Sequence, residues 1–268
     1  MDNDDPIGIF DSGIGGLTVA RAIHKRLPAE RLIYFGDTAH LPYGDKSAAA
    51  IQAYSVKITD ILIREGCKLI VIACNSASSA AYELLREYSG SKAKIINVID
   101  PMVDYVSEKF SGKSVGLIGT RQTIQSNIYL QKLLSKDPEA DLVSLATPLL
   151  VPMIEEGFMH DKISRDIISE YLGYEAFCNI SSLILGCTHY PLIKDEIEDY
   201  YSGKVEALDS SEIVAAHLHK YLQENQMESN IRKGKNKFFV SDYTASFEAL
   251  TRMFFGEEIH LEKFRLWE

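Results

Sequence analysis

The 268-residue sequence lacks the features that would place it in several common classes of protein. No apolar run approaches the roughly 20 residues that are needed to cross a membrane. The amino-terminal stretch, MDNDDPIGIF, is acidic and lacks the apolar segment of a secretory signal. Basic residues are outnumbered, and the formal net charge of −10 argues against binding to nucleic acid or to an anionic membrane. We therefore expect a cytoplasmic protein that has no nucleic-acid or membrane partner.

Cysteine is also scarce: the chain has only Cys67, Cys74, Cys178 and Cys187, and no two of them form a C-x-x-C pair. We therefore expect no zinc or other metal site. In a cytoplasmic protein these residues should be free thiols. Free cysteines most often pack in the protein core as small side chains, and we expect this of Cys67 and Cys178. Cys74 and Cys187 have polar neighbours, so packing, nucleophilic attack and proton transfer all stay open for them.

Short apolar runs alternate with longer amphipathic stretches through the first part of the chain. The runs at 7–10, 32–35, 69–73 and 95–99 have no polar alternation, which is typical of strands buried on both faces of a parallel sheet. The stretches between them have the pattern of helices. This order predicts an α/β fold in which helices flank mainly parallel sheets through right-handed crossovers.

The pattern restarts about 110 residues later, which indicates an internal duplication. The matching segments are VGLIGT (115–120) with IGIFDS (7–12), LVSLATP (142–148) with LIYFGDT (32–38), and LILGCTHY (183–190) with VIACNSAS (71–78). Two such units would surround one cleft with the carboxyl ends of their strands, where open α/β sheets bind ligands. We predict two pseudo-symmetric domains: the first comprises 1–97 and 210–268, and the second comprises 98–209.

Two loops at predicted strand ends could hold a small ligand. In IFDSGIGGLTV, a strand ends at Asp11 and Ser12, and a glycine-rich turn leads into a helix. These glycines lack dinucleotide-binding spacing and no Walker lysine follows, but they allow a small ligand to approach the helix amino terminus. In FGDTAHLPYGDKS, Asp37 ends a strand, and Tyr43 and Gly44 lie in the following turn. Taken alone, either loop could also be an ordinary turn.

The two cysteine motifs, ACNSAS and GCTHYP, occupy equivalent points of the two halves. Each thiol precedes a predicted helix amino terminus, where its pKa should fall from about 8.5 toward neutrality. One thiol with one histidine would suggest covalent hydrolysis, whereas two equivalent thiols suggest proton transfer to both faces of one carbon atom. In that reaction one sulfur removes a proton and the other returns one, so the configuration inverts. The polar residues that follow the thiols are Asn75, Ser76, Thr188 and His189.

Over essentially the whole chain, DSGIGGL, GDTAHLPYG, ACNSAS, VPMIEEG and GCTHYP resemble, in order, the motifs of glutamate racemases in the cofactor-independent aspartate/glutamate racemase family. The resemblance implies an isomerase with two α/β domains and an active site between them. It implies interconversion of L- and D-glutamate for peptidoglycan synthesis, without pyridoxal phosphate or metal. It also implies a homodimer.

The resemblance further implies the roles of individual residues. Cys74 would deprotonate D-glutamate and Cys187 would deprotonate L-glutamate, and Asp11 and His189 would assist the two thiols. The implied substrate contacts are Asp11, Ser12, Tyr43, Gly44, Asn75, Ser76, Thr188 and His189, and Asp37 and Glu155 would support them from behind. Ser76 replaces the family's usual threonine and Thr147 replaces a frequent cysteine, and neither departure changes the predicted reaction.

The motifs that carry this chemistry contain no arginine, although glutamate has two carboxylates. Lys46 and Arg121 are the nearest basic residues in the sequence. We therefore expect backbone N–H groups and hydroxyls at helix amino termini to hold the carboxylates. Three alternatives remain for experiment to distinguish: a racemase that acts on aspartate, a thiol hydrolase, and a module that binds an amino acid without reaction.

Overall fold

The strands form two parallel sheets in the computed structural model, which describes residues 2–231 and 233–267. The strands are β1 (Ile7–Asp11), β2 (Leu32–Gly36), β3 (Leu69–Ile72), β4 (Lys94–Asn97), β5 (Ser114–Gly119), β6 (Asp141–Ala146), β7 (Ser182–Gly186), β8 (Glu206–Asp209), β9 (Lys237–Val240) and β10 (Glu262–Lys263). The first sheet has the order β10-β9-β2-β1-β3-β4, and the second has the order β6-β5-β7-β8. All pairings found among these strands are parallel.

Helices cover both faces of the first sheet, as the unbroken apolar strands require. Ile9 and Phe10 are neighbours in β1, yet they belong to different buried clusters because successive side chains point to opposite faces. The helices are α1 (Leu17–Arg26), α2 (Ala48–Arg64), α3 (Asn75–Ser89), α4 (Ile99–Lys109), α5 (Arg121–Gln125), α6 (Ile128–Lys136), α7 (Leu150–Glu155), α8 (Lys162–Leu172), α9 (Lys194–Tyr200), α10 (Ser210–Glu224) and α11 (Ala245–Phe255). Among the described residues, none of these helices is long and apolar enough to span a membrane.

The two sheets repeat one topology, so the predicted pseudo-symmetric α/β architecture is confirmed. The order β2-β1-β3-β4 in the first sheet matches the order β6-β5-β7-β8 in the second. The segments that resemble each other in sequence therefore occupy equivalent strands. The tail supplies β9 and β10, which extend the first sheet beyond β2. The domain boundaries, 1–97 with 210–268 and 98–209, stay a prediction.

The repeat is less regular after the two cysteines. In the first half, α3 begins at Asn75, immediately after Cys74. In the second half, Cys187 is followed by a short 3-10 helix, Tyr190–Ile193, and α9 begins only at Lys194. The expectation that both thiols directly precede a helix amino terminus is therefore right for Cys74 and wrong for Cys187. Proline at position 191 has no N–H to donate, so it suits the first turn of the short helix.

Candidate active site

A cavity of about 220 Å³ lies between the two halves, at the carboxyl ends of strands from both sheets. Its lining includes residues that follow β1, β3, β5, β6 and β7. The predicted site residues that line it are Ser12, Tyr43, Gly44, Cys74, Asn75, Ser76, Glu155, Cys187, Thr188 and His189. Asp11 and Asp37 are outside this lining. The sequence repeat thus brings one thiol from each half to a single cavity.

Cys74 lies at the end of β3 and caps the amino terminus of α3. Its sulfur accepts a hydrogen bond from the Ala77 N–H at 3.4 Å and donates one to Oγ of Ser12 at 3.7 Å. Burial, followed by the negative charge of Asp11, raises the pKa of Cys74 to about 12. These effects outweigh the hydrogen bonds of Ala77 and Ser12, which lower the pKa. The expected fall of this pKa toward neutrality is therefore wrong, and Cys74 is a thiol at neutral pH.

Asp11 lies behind Cys74 and organises the glycine-rich turn. Its Oδ2 accepts hydrogen bonds from the N–H groups of Gly13 and Gly16 at 3.1 and 3.0 Å. Its other oxygen, Oδ1, is buried and has no hydrogen-bond partner within residues 2–231 and 233–267. Burial raises the pKa of this carboxyl group. The Asp11 side chain thus holds the glycine-rich turn, and its negative charge is one cause of the raised pKa of Cys74.

His189 connects the second thiol to a carboxylate. Its Nδ1 lies 3.8 Å from Sγ of Cys187, and its Nε2 lies 2.9 Å from Oε1 of Glu155 at the end of α7. The edge of the ring also packs against Phe254, with 5.1 Å between ring centroids. Burial alone lowers the pKa of His189, but the contacts with Cys187 and Glu155 raise it to about 10. The imidazole is therefore protonated at neutral pH.

Asp37 holds the loop that presents Tyr43 to the cavity. Its carboxylate accepts hydrogen bonds from the Tyr43 hydroxyl and from Oγ of Ser241, both at 2.6 Å. Nδ1 of His40 lies 2.7 Å from the same carboxylate. Burial, followed by the charge of Asp37, raises the pKa of Tyr43 far above its usual range, so the phenol keeps its proton. Ser241 directly follows β9, so Asp37 joins the Tyr43 loop to the end of that strand.

The mouth of the cavity is bridged by polar contacts between the halves. Oγ of Ser76 lies 2.8 Å from Oγ1 of Thr120, and the Arg121 guanidinium pairs with the Asp45 carboxylate at 3.0 Å. Arg121 and Asp45 are each about half exposed, so this ion pair contributes little to stability. Arg121 lines the cavity, but its charge is shared with Asp45.

Several lining residues were absent from the predicted set. Thr120 has a clear signal, because the match of VGLIGT with IGIFDS places it at the repeat position of Ser12. Tyr129, which hydrogen-bonds Asn75 from behind the lining, has no such signal.

In the described part of the chain, no group of three or more His, Cys, Asp or Glu side chains is arranged to hold a metal ion.

Comparisons with known proteins agree with this fold. Residues 7–218 match the Asp/Glu/Hydantoin racemase family. The glutamate racemase of Chlorobium phaeobacteroides is 39% identical over 257 residues, which cover 96% of this chain and 94% of the relative. The structure of the Francisella tularensis glutamate racemase in complex with D-glutamate is 38% identical, covers 99% of each chain and has a TM-score of 0.92. That of the RacE1 isoform from Bacillus anthracis is 32% identical over 98% of each chain, also with a TM-score of 0.92.

The chain therefore belongs to the Asp/Glu/Hydantoin racemase family. Its full-length relatives are glutamate racemases, and the protein is accordingly an amino-acid racemase of the isomerase class. The predicted family, fold class and enzyme class are confirmed.

Proposed function

We propose that the protein interconverts L- and D-glutamate through two opposed thiol bases, Cys74 and Cys187. The observation that carries the proposal is that equivalent strand ends of the two halves present one sulfur each to the same cavity. A racemase must remove the α-proton from one face of carbon and return a proton to the other. Two opposed sulfurs meet this requirement, because one can act as the base while the other acts as the acid.

The protonation of Cys74 favours one starting direction. Cys74 holds its proton at neutral pH and can act as the acid, and Sγ of Cys187 lies 3.8 Å from Nδ1 of His189, whose pKa is raised to about 10. Cys187 would therefore take the α-proton of L-glutamate, and Cys74 would deliver its own proton to the opposite face. This leaves Cys74 as the thiolate and Cys187 as the thiol, which is the state that accepts D-glutamate. The roles agree with those that the family resemblance implies.

The substrate carboxylates would be held by N–H groups and hydroxyls. Loss of the α-proton moves negative charge onto the adjacent carboxylate, so fixed donors around it lower the barrier. Donors that line the cavity include the amide of Asn75 and the hydroxyls of Ser12, Ser76, Thr120 and Thr188. Arg121 is engaged by Asp45 at the mouth. A substrate complex with a bidentate arginine on either carboxylate would contradict this assignment.

Incubation with L-glutamate in deuterated water, followed by the same experiment with L-aspartate, tests the function. We expect D-glutamate to form with deuterium at the α-carbon, and we expect aspartate to react much more slowly. Equal turnover of aspartate would change the assigned substrate. Release of ammonia or of a cleaved acyl group from an amide or ester would identify a thiol hydrolase. Binding without α-proton exchange would identify a binding module.

The cellular role follows from the reaction as a further part of the proposal. D-glutamate from this enzyme would supply peptidoglycan synthesis in the cytoplasm, and the enzyme would act as a homodimer. Complementation of a bacterial D-glutamate auxotroph tests the role, and sedimentation at enzyme concentrations used for assay tests the dimer. Failure to restore growth without added D-glutamate, or a monomeric sedimentation coefficient, would contradict the respective part.

Alkylation rates should distinguish the two active-site sulfurs. At pH 7, iodoacetamide should modify Cys187 at least about tenfold faster than Cys74, because the thiolate is the reactive form and the pKa of Cys74 is raised to about 12. Mass spectrometry of peptides after timed quenching measures both rates in one sample. Cys178 is exposed, so the expectation that it is a buried side chain is wrong, and it serves as an internal reference. Cys67 is buried, as expected, with its pKa raised to about 12, and it should stay unmodified.

The raised pKa of His189 makes the stability of the fold depend on pH with a definite sign. The folded-state pKa of His189 is about 10, above its usual value near 6.5, so folding is favoured by proton binding between these limits. This contribution to stability is complete below about pH 6.5 and is lost as the pH rises through about 10. The difference in melting temperature between the wild type and His189→Asn should therefore shrink over that range. The preference of iodoacetamide for Cys187 should also decrease in His189→Asn, and an unchanged preference would show that His189 does not activate this sulfur.

A further inference from the structure

A buried tyrosine of the second half hydrogen-bonds a residue of the first half that lines the cavity. Tyr129 lies in the first turn of α6 and is 1% exposed. Its hydroxyl donates a hydrogen bond of 2.7 Å to Oδ1 of Asn75, the first residue of α3. Asn75 lines the cavity and is itself 3% exposed.

This hydrogen bond determines which end of the Asn75 amide is free. Burial raises the pKa of Tyr129 well above its usual range, so the phenol keeps its proton and needs an acceptor. The amide oxygen of Asn75 provides it, and the amide nitrogen is left on the other side. Nδ2 of Asn75 is buried and has no hydrogen-bond partner in residues 2–231 and 233–267. An unpaired buried N–H2 group is costly, and a ligand with an acceptor oxygen would remove that cost.

We propose that Tyr129 is a positioning residue that fixes the Asn75 amide with its N–H2 group directed into the cavity, where it binds a substrate carboxylate. The inference rests on the proposed function, because glutamate supplies the carboxylate. It assigns Tyr129 a role in substrate affinity although the phenol does not touch the substrate. Without the hydroxyl, the amide can rotate and present its oxygen, which repels a carboxylate.

The contact also links substrate binding to the meeting of the two halves. Tyr129 follows β5 in the second half, whereas Asn75 follows β3 in the first. The Asn75 amide is therefore oriented only while α6 and the start of α3 are in contact. A second contact of the same kind joins Ser76, the next residue of α3, to Thr120. The donor that meets the substrate is thus set by both halves together.

Tyr129→Phe tests the inference through a separation of KM from kcat. We expect KM to rise about tenfold for both L- and D-glutamate, which is the factor for one lost hydrogen bond of typical strength, and kcat to change less than about threefold. The dissociation constant of glutamate, measured by calorimetry, should rise by the same factor. An unchanged KM, or a fall in kcat at constant KM, would overturn the inference.

A matched control separates positioning from general stability. The Tyr201 hydroxyl is buried without a hydrogen-bond partner in the described residues, and it is not part of the cavity lining. Tyr201→Phe should therefore leave both kinetic constants unchanged. If this variant raises KM as much as Tyr129→Phe does, the effect comes from loss of a phenol hydroxyl in general and the inference fails.

Asn75→Asp tests whether the N–H2 group of Asn75 binds the substrate carboxylate, even if Tyr129→Phe folds poorly. Tyr129 can still donate to one carboxylate oxygen, but the other oxygen would now face the cavity in place of N–H2. We expect KM to rise at least about a hundredfold, and to exceed that of Asn75→Ala, because like charges meet at close range. A KM within about threefold of the wild type would overturn the inference. Failure of the proposed function itself is distinguishable, because the wild-type enzyme would then not racemise glutamate.

Discussion

Cys74→Ala and Cys187→Ala should each lower the rate of glutamate racemisation about a thousandfold or more. A positioned acid or base commonly contributes between about a hundredfold and ten-thousandfold, and each variant removes one of the two sulfurs that every turnover requires. Neighbouring hydroxyls do not replace the lost group, because an alcohol is a far weaker acid than a thiol and is not ionised near neutral pH. Circular dichroism of the glutamate solution follows the loss of optical activity directly.

The two variants should differ in which enantiomer still exchanges its α-proton. Cys74→Ala retains Cys187, so L-glutamate should exchange its α-proton with deuterated water while no D-glutamate forms. Cys187→Ala retains Cys74, so only D-glutamate should exchange. Proton NMR of the α-position measures both reactions. Exchange of both enantiomers by one variant would show that a single sulfur reaches both faces of the carbon, which contradicts the two-base proposal.

Cys178→Ala is the appropriate control for the loss of a thiol. Cys178 is exposed and outside the cavity lining, so its removal should leave racemisation and exchange unchanged.

Rates of racemisation in the two directions cannot replace the exchange experiment. Enantiomers have equal free energies, so the equilibrium constant is one and kcat/KM must stay equal in both directions for every variant. Asymmetry between the two sulfurs can therefore appear only in exchange or in kcat and KM taken separately.

Much of the site could be predicted from the sequence because the two halves repeat the same local pattern. Apolar runs of strand length, each followed by polar residues, indicated where the sheet ends lie. The match of ACNSAS with GCTHYP then predicted that Cys74 and Cys187 meet, and the cavity contains both. The same comparison would have predicted Thr120 from Ser12. Local patterns predict local positions well, and a repeat extends them to a second half.

The electrostatics of the site could not be predicted in this way. The pKa of Cys74 depends on its burial and on Asp11, which lies on a different strand. Helix-terminus reasoning alone gave the wrong sign for this pKa, because burial was larger than the effect of one N–H group. The contact of Tyr129 with Asn75 joins residues 54 positions apart in the chain, and no periodicity relates them. Such contacts depend on how the halves pack together.

Gly15→Ala should lower kcat/KM for glutamate about a hundredfold, although Gly15 has no side chain to take part in the reaction. A Cβ atom at this position would lie 2.4 Å from Cε1 and 2.5 Å from Nδ1 of His189, and 2.6 Å from Oγ1 of Thr188. Real Cβ atoms do not approach other heavy atoms so closely, so the turn or the His189 loop must move. A displacement of about 1 Å in a catalytic group can cost a hundredfold in rate.

At Gly15, the glycine-rich turn lies against the loop that carries the second thiol. Oγ1 of Thr18 lies 3.0 Å from the carbonyl oxygens of both Gly15 and Thr188, so the glycine turn and the Cys187 loop are already tied together. The His189 ring cannot simply swing away from the added methyl group, because Glu155 and Phe254 hold the ring in place. We therefore expect His189 to be displaced from Cys187, and the alkylation rate of Cys187 to fall together with kcat/KM.

Gly66→Ala is a control that should lower stability without lowering activity. Gly66 has a φ of +81° and nothing within 4 Å of its Cβ position, so alanine there meets backbone strain but no neighbour. We expect it to cost about 1 kcal/mol of stability and to lower Tm by about 2–4 °C, with kcat/KM unchanged. Gly15→Ala should instead lose activity out of proportion to its change in Tm. A folded Gly15→Ala enzyme with wild-type activity would contradict this prediction. It would show that the glycine-rich turn and the His189 loop can move apart without displacing His189 from Cys187.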